Sequence, residues 1–213
     1  MSSFVETGAD AAASAGATPR VAVLASGRGS NFESLARAFR DREIPGEIVL
    51  LVVDKPGAGA GALAERFGIP WLLVRGRRRE RDAFDAALLD VLREHAVDYV
   101  FLAGFMRILG RAAVEAYWGR ILNIHPSLLP AFPGLGAQAQ ALAAGVGESG
   151  CTVHFVDFGV DTGPAILQRR VPVLPEDDQE SLAARILREE HRAYPEAARR
   201  VLSGRVRMEK GHP

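Results

Sequence analysis

The chain has 213 residues, 48% of them hydrophobic, which is enough for one ordinary domain with a sizeable core. Its 26 basic residues equal its 26 acidic residues, so no net charge gathers a polyanion and nucleic acid is not an expected partner. The only cysteine, Cys151, cannot form an internal disulfide, so we expect a cytoplasmic protein. No apolar run approaches the roughly 20 residues of a membrane span, so we expect that the protein does not enter a membrane.

The first 19 residues are predicted to form a disordered N-terminal tail. They are mostly alanine, serine, glycine and threonine, so they offer little apolar surface to bury. The remaining residues, 20–213, are predicted to form a single domain.

From Arg20 onward, short apolar runs alternate with amphipathic stretches that have the spacing of helices, and the last of these covers about residues 179–202. The clearest apolar runs are RVAVLAS, EIVLLVVD and VDYVFLA. Because these runs are almost continuously apolar, we expect strands that are buried on both faces by crossover helices. The pattern predicts an α/β fold, with an open, mostly parallel twisted sheet and helices on both faces.

A glycine-rich turn, Ser26-Gly27-Arg28-Gly29-Ser30-Asn31, follows the first of these strands and opens a helix. Glycine permits a tight turn, and the free N–H groups at a helix start favour an anion such as phosphate. The turn lacks the Gly-Lys-Ser/Thr of a Walker A loop and the third glycine of the dinucleotide fingerprint. The sequence therefore predicts either a phosphate site or an ordinary capped helix start.

The segment NIHPSLLP, residues 123–130, follows another predicted strand. Asn123 and His125 are two positions apart on an extended segment, so their side chains point to the same face. The ends of strands in an open α/β sheet are where such proteins place their chemistry. The alternative is a structural histidine in a proline-rich turn.

A third polar cluster, VDFGVDTGP at residues 156–164, forms a glycine-bearing loop between two predicted strands. One of its acids, Asp157 or Asp161, could orient and charge a histidine. The alternative is that the acids only stabilise the turn through their own backbone hydrogen bonds. The sequence position does not choose between these two interpretations.

Three segments in this order resemble the glycinamide ribonucleotide formyltransferase family: SGRGSN, then GFMRIL with NIHPSLLP, then VDTGPAILQ. The resemblance extends over about residues 20–207. It implies a Rossmann-like formyltransferase fold, with a phosphate-binding part at about 20–120 and a folate and catalytic part at about 100–213. The implied reaction moves the formyl group of 10-formyltetrahydrofolate to the amine of 5′-phosphoribosylglycinamide, in purine biosynthesis and without a metal. Whether the protein forms a homodimer is left open.

The resemblance also assigns roles to individual residues. Three catalytic residues are implied: Asn123, His125 and Asp161. The residues implied to hold the phosphate and glycinamide are Gly29, Ser30, Asn31 and Glu190. The residues implied to line the folate pocket are Arg81, Met106, Arg107, Ile108, Leu109 and Asn123. In this chemistry the amide of Asn123 and a protonated His125 stabilise a developing oxyanion, and Asp161 favours the charged histidine and holds a water.

The chain departs from the family pattern at three positions. Gly136 and Ala139 stand where many relatives carry a histidine and a basic residue, and Leu187 stands where relatives often carry a polar residue that faces the substrate. His154 and His191, taken with His125, lack the spacing of a metal site and are interpreted as structural.

Three other interpretations stay open. Methionyl-tRNA formyltransferase shares the Asn-x-His-Pro-Ser pattern but would need a further C-terminal domain that holds RNA. Formyltetrahydrofolate deformylase shares a related phosphate turn but carries an N-terminal regulatory domain, and we expect neither extra domain here. The third is a noncatalytic binding module, which loss of Asn123, His125 or Asp161 would have favoured.

Overall fold

This computed structural model describes residues 4–6, 18–76 and 81–208. The helices and strands in these ranges are, in chain order, β1 (Phe4–Glu6), β2 (Arg20–Ala25), α1 (Ser30–Arg40), β3 (Glu47–Val53), α2 (Gly59–Phe67), β4 (Trp71–Leu73), α3 (Arg81–Glu94), β5 (Tyr99–Leu102), α4 (Arg111–Ala116), β6 (Ile121–His125), α5 (Ala137–Ala143), β7 (Glu148–Phe155), β8 (Ala165–Pro172), α6 (Gln179–Leu202) and β9 (Val206–Met208).

Seven of the described strands form one sheet in the order β4-β3-β2-β5-β6-β7-β8. The first five are parallel to one another, whereas β7 is antiparallel to β6 and β8 is antiparallel to β7. This confirms the predicted open, mostly parallel sheet in a single domain. No helix among the described residues is long and apolar enough to cross a membrane.

The core is divided into two clusters, one on each face of the sheet. Along β2, Val21 and Val23 belong to the cluster covered by α1, α2, α5 and α6, while Ala22 and Leu24 belong to the cluster covered by α3 and α4. Successive side chains of a strand point to opposite faces, so a strand covered on both sides must be apolar at every position. The continuous apolar runs in the sequence have this origin.

Helix α6 forms hydrogen bonds with both the sheet and α1. It continues through Pro195, which has no N–H, so the carbonyl of His191 loses its helical partner. The hydroxyl of Ser34 in α1 donates to that carbonyl at 2.7 Å. Tyr194, fully buried, places its hydroxyl 3.1 Å from the carbonyl oxygens of Leu102 and Leu122 on the neighbouring strands β5 and β6.

The predicted disordered tail differs from the structure at Phe4–Glu6 and at Pro19, whose carbonyl accepts from the Glu47 N–H at 2.9 Å. Phe4–Glu6 form β1, which pairs antiparallel with Val206–Met208 in a separate two-stranded sheet. The rest of the predicted tail, up to residue 17, lies outside the described residues. Local composition missed β1 because its backbone hydrogen bonds are made with the opposite end of the chain.

The glycine-rich turn between β2 and α1 packs directly on the start of α2. Gly29 has φ 85°, in the left-handed region, and a Cβ there would lie 2.8 Å from both Cα and Cβ of Ala60. The N–H of Ala60 donates to the carbonyl of Gly27 at 3.1 Å. Position 29 therefore needs glycine for its backbone angle and for this close approach.

We expect Gly29→Ala to lower the free energy of unfolding by about 2 kcal/mol or more, because it combines left-handed strain with overpacking. The matched control is Gly27→Ala, where a Cβ meets nothing within 4 Å. Denaturant unfolding of both variants measures the difference. Equal stability of the two variants would contradict the packing of this turn against α2.

Candidate active site

Parallel strands β2, β5 and β6 are neighbours, so the loops after them meet at one edge of the sheet. The loops after β5 and β6, with the loop after β7, line a cavity of about 640 Å³. The cavity gathers every residue that the sequence assigned to catalysis or to folate: Arg81, Met106, Arg107, Ile108, Leu109, Asn123, His125 and Asp161.

The carboxylate of Asp161 contacts both other predicted catalytic residues. Its Oδ2 lies 3.2 Å from His125 Nδ1 and accepts a hydrogen bond from the Gly134 N–H at 2.9 Å. Its Oδ1 accepts from Asn123 Nδ2 at 3.3 Å and lies 3.5 Å from His154 Nε2. One carboxylate therefore organises the amide and the two imidazoles at the bottom of the cavity.

The two acids of the 156–164 loop make different contacts, and each matches one of the two interpretations. Asp157 Oδ1 accepts from the Gly159 N–H at 3.0 Å and from the Thr162 hydroxyl at 2.7 Å, which is turn chemistry. Asp161 instead faces the histidines. Its φ of 55° lies in the left-handed region, which aspartate and asparagine tolerate better than most residues.

Asp161 is held in its charged form. Burial would raise the pKa of its carboxyl, but hydrogen bonds from His154 and the Gly134 N–H, together with the charges of the two imidazoles, lower it overall. A carboxylate that stays ionised can orient donors around it and hold a proton on a neighbouring imidazole.

Both ring nitrogens of His125 face oxygen atoms. Nε2 lies 2.8 Å from the carbonyl oxygen of Phe132, and Nδ1 faces the Asp161 carboxylate. A nitrogen next to an accepting oxygen carries a hydrogen, so this arrangement suits the imidazolium, which donates from both nitrogens. The contact with the Phe132 carbonyl also stabilises the loop that follows His125. The alternative of a structural histidine in a proline-rich turn therefore describes part of its role.

His154 is a site residue that the sequence interpretation missed. It is buried, lines the cavity, and its Nδ1 lies 2.7 Å from the carbonyl oxygen of Phe155. Nδ1 therefore donates to that carbonyl, while Nε2 lies 3.1 Å from Asn123 Nδ2 and 3.5 Å from Asp161 Oδ1. Asn123 and His154 are register partners across β6 and β7. This pairing across the two strands would have identified His154 as a neighbour of Asn123. It can be recognised only once β7 is known to run antiparallel to β6.

The residues predicted to bind phosphate and glycinamide form a second group, across α1 and α6. The Asn31 amide donates to Glu190 Oε2 at 2.7 Å, and burial raises the pKa of Glu190 while this bond partly offsets the rise. Gly29, Ser30, Asn31 and Glu190 do not line the 640 Å³ cavity. Ser30 instead borders two further cavities, of about 420 and 710 Å³.

Ser26 links the two groups. Its hydroxyl accepts from the Met106 N–H at 2.8 Å, and its own N–H donates to the Gly104 carbonyl at 3.2 Å. The end of β2, which begins the glycine-rich turn, is thereby fixed to the loop after β5 that lines the cavity.

The departures from the family pattern fall in different places. Gly136 lines the 640 Å³ cavity with φ 72° and nothing within 4 Å of an added Cβ, so a side chain there has room but strains the backbone. Ala139 is exposed and does not line it. Leu187 lines the 420 Å³ cavity beside the glycine-rich turn. The peptide between Leu129 and Pro130 is cis.

Comparison with known proteins gives one consistent family. Residues 19–198 match the family model described as formyl transferase. Phosphoribosylglycinamide formyltransferase of Bacillus subtilis (strain 168) is 43% identical over 192 residues, covering 90% of this chain and 98% of the relative. A crystal structure of glycinamide ribonucleotide transformylase 1 from Symbiobacterium toebii has a TM-score of 0.85 at 47% identity, covering 90% of this chain and 94% of that one.

A second kind of relative is much longer. The trifunctional purine biosynthetic protein adenosine-3 of Drosophila melanogaster is 49% identical over 188 residues, covering 87% of this chain. The matched region is 14% of that relative's length. The resemblance is therefore to one segment of the trifunctional protein.

The lowered pKa of Asp161 predicts a dependence of stability on pH. A carboxyl with a depressed folded pKa stabilises the fold above its unfolded value, near 3.8, and loses that contribution as pH falls through the folded value. Asp161→Asn cannot ionise, so we expect it to be less stable than the native protein at about pH 5, with the gap shrinking towards about pH 3. Urea unfolding across this range measures the gap.

Asp90→Asn is the matched control, because Asp90 is an exposed acid whose ion pair with Arg93 lies on the surface. Its effect on stability should be small at every pH. A gap between the native protein and Asp161→Asn that stays constant or widens on acidification would contradict the charge assigned to Asp161.

Proposed function

The chain belongs to the formyl transferase family, and we propose that it transfers the formyl group of 10-formyltetrahydrofolate to the amine of 5′-phosphoribosylglycinamide. The products are 5′-phosphoribosyl-N-formylglycinamide and tetrahydrofolate, in a step of purine biosynthesis. The contacts of one carboxylate, Asp161, with Asn123 and His125 inside a cavity carry the proposal. The cytoplasmic location, the absence of a metal and the choice between monomer and homodimer stay predictions from the sequence.

The 640 Å³ cavity has the size and walls expected for the folate. Sites for small molecules usually enclose about 300 to 1,000 Å³ and combine apolar walls with a few polar groups. Met106 and Ile108 expose nearly half of their surface and suit the flat pterin ring. Arg81, exposed at the same cavity, is suited to the acidic tail of the folate.

The glycine-rich turn suits the phosphate of the other substrate. Gly29, Ser30 and Asn31 lie at the start of α1, where free N–H groups and the helix dipole favour an anion. Glu190, hydrogen-bonded to Asn31, borders this group and is placed to meet the glycinamide end. Ser26 connects the turn to the folate cavity, so the two substrates would meet along one edge of the sheet.

In the proposed reaction the substrate amine attacks the formyl carbon, and the carbonyl oxygen takes up the electron pair. The Asn123 amide and the His125 imidazolium donate to this oxyanion. Collapse of the tetrahedral centre breaks the bond to the folate nitrogen. The proton lost by the amine reaches that nitrogen through His125 and a water held by Asp161.

Substrate binding must rearrange hydrogen bonds that the site makes with itself. Asn123 Nδ2 faces Asp161 and His154, and His125 Nε2 donates to the Phe132 carbonyl. The formyl oxygen therefore replaces one of these acceptors when it binds, as is common when a free site closes on its ligand. Asp161 and His154 keep the amide and the imidazole oriented during the exchange.

The proposed function is tested by measuring whether turnover depends on the amine acceptor. We expect the protein to consume 10-formyltetrahydrofolate only when 5′-phosphoribosylglycinamide is present, and to form one N-formyl product per folate released. Ribose 5-phosphate, which has no amine, is the matched control and should support no turnover. Consumption without the amine would indicate a hydrolase, and no consumption under either condition would indicate a binding module.

A further inference from the structure

We propose that Arg28 and Arg66 bind the phosphate group of the ribose substrate, and that they supply the charge that Leu187 cannot. This inference rests on the proposed function and identifies the cationic part of its phosphate subsite. The substrate chemistry concerned is a phosphate monoester, a dianion near neutral pH.

The two arginines line the 420 Å³ cavity beside the glycine-rich turn. Three parts of the fold form its walls: the turn with α1, one face of α2, and α6. The lining residues are Arg28, Ser30, Glu33, Gly59, Ala62, Leu63, Arg66 and Leu187. The α2 residues recur at helical spacing, so a single face of that helix borders the cavity and carries Arg66.

The backbone at Arg28 is held against α2. A Cβ added to Gly59 would lie 3.3 Å from the Arg28 carbonyl oxygen and 3.4 Å from its Cα. The N–H of Ala60 is bonded to the carbonyl of Gly27, and Gly29 lies against Ala60 itself. The starts of α1 and α2 are therefore side by side, with Arg28 between them.

The charge around this cavity is uneven. Arg28 and Arg66 are exposed, and neither makes an ion pair with any acid in the part of the chain that the structure describes. Glu33, the acid among the lining residues, is already paired with Arg37 at 2.6 Å. The cavity is thus lined by two arginines that have no acidic partner among the described residues.

A second observation at the same turn also indicates a ligand. Asn31 is more than nine-tenths buried, and its Oδ1 has no hydrogen-bond partner although its Nδ2 is bonded to Glu190. A buried acceptor without a donor destabilises the protein, and a hydroxyl next to the phosphate, as on ribose, would satisfy it. The turn thus offers an acceptor for the sugar and cations for the phosphate.

The phosphate needs these cations. A helix start offers only about half of a positive charge, so it does not neutralise a dianion. Leu187, on the α6 wall, is apolar and brings no charge to the cavity. A guanidinium binds phosphate oxygens through two parallel hydrogen bonds, so the arginines on the turn and α2 can supply the charge that the α6 wall lacks.

The test is a kinetic comparison of Arg28→Gln, Arg66→Gln and the double variant. We expect the double variant to raise KM for 5′-phosphoribosylglycinamide at least fivefold, with kcat and the folate KM within about twofold of the native values. Adding Leu187→Lys to the double variant should lower that KM again, while Leu187→Met should not. Arg188→Gln, which removes the same charge from α6 outside the cavity, is the matched control and should leave both KM values unchanged.

The proposal is overturned if KM for 5′-phosphoribosylglycinamide rises less than fivefold in the double variant, or if it rises equally in Arg188→Gln. It is also overturned if the folate KM rises in parallel, or if Leu187→Lys does not rescue the double variant. Calorimetric titration with ribose 5-phosphate separates this test from the proposed function, because it needs no formyl transfer. The native protein should bind ribose 5-phosphate more weakly as salt rises, and the double variant should lose at least fivefold in affinity. If the native protein transfers no formyl group but shows this loss, only the proposed function fails.

Discussion

The carboxylate of Asp161 contacts groups from three separate parts of the chain: Asn123 and His125 in β6, His154 in β7, and the N–H of Gly134 in the loop between those strands. The pKa of Asp161 is lowered, so the acid is ionised and can accept from these groups through both of its oxygens. Because His154 Nε2 also lies 3.1 Å from the Asn123 amide nitrogen, the same network fixes the amide and the imidazole. The proposed chemistry follows from this one charge.

The fold supplies the two substrate regions around that charge. Parallel strands end at a common edge, so the glycine-rich turn after β2 and the loops after β5 and β6 become neighbours without being close in sequence. Ser26 joins the turn to the folate cavity, and Tyr194 anchors α6 beneath β5 and β6. Helix α6 then carries Glu190 to Asn31. These side-chain hydrogen bonds hold each group near the place where the substrates would meet.

The sequence predicts the sheet from its continuous apolar runs, and it places Asn123 and His125 on one face directly after such a run. The choice of Asp161 over Asp157 comes from the family resemblance. The sequence misses features that depend on distant contacts. His154 requires the antiparallel register of β6 and β7, β1 requires pairing with the far end of the chain, and the cavity of Arg28 and Arg66 requires the packing of the turn on α2. Arg28 is visible in the turn, but nothing in the sequence pairs it with Arg66.

A double-mutant cycle on kcat tests most directly whether Asp161 acts through His125. Asp161→Asn suits the left-handed backbone at this position; it removes the charge and replaces one accepting oxygen by an NH2 donor. If the account is right, Asp161→Asn and His125→Ala each lower kcat about a hundredfold or more with little change in either KM, and the double variant is little slower than His125→Ala. Losses that multiply in the double variant, or a near-normal kcat in folded Asp161→Asn, would contradict it.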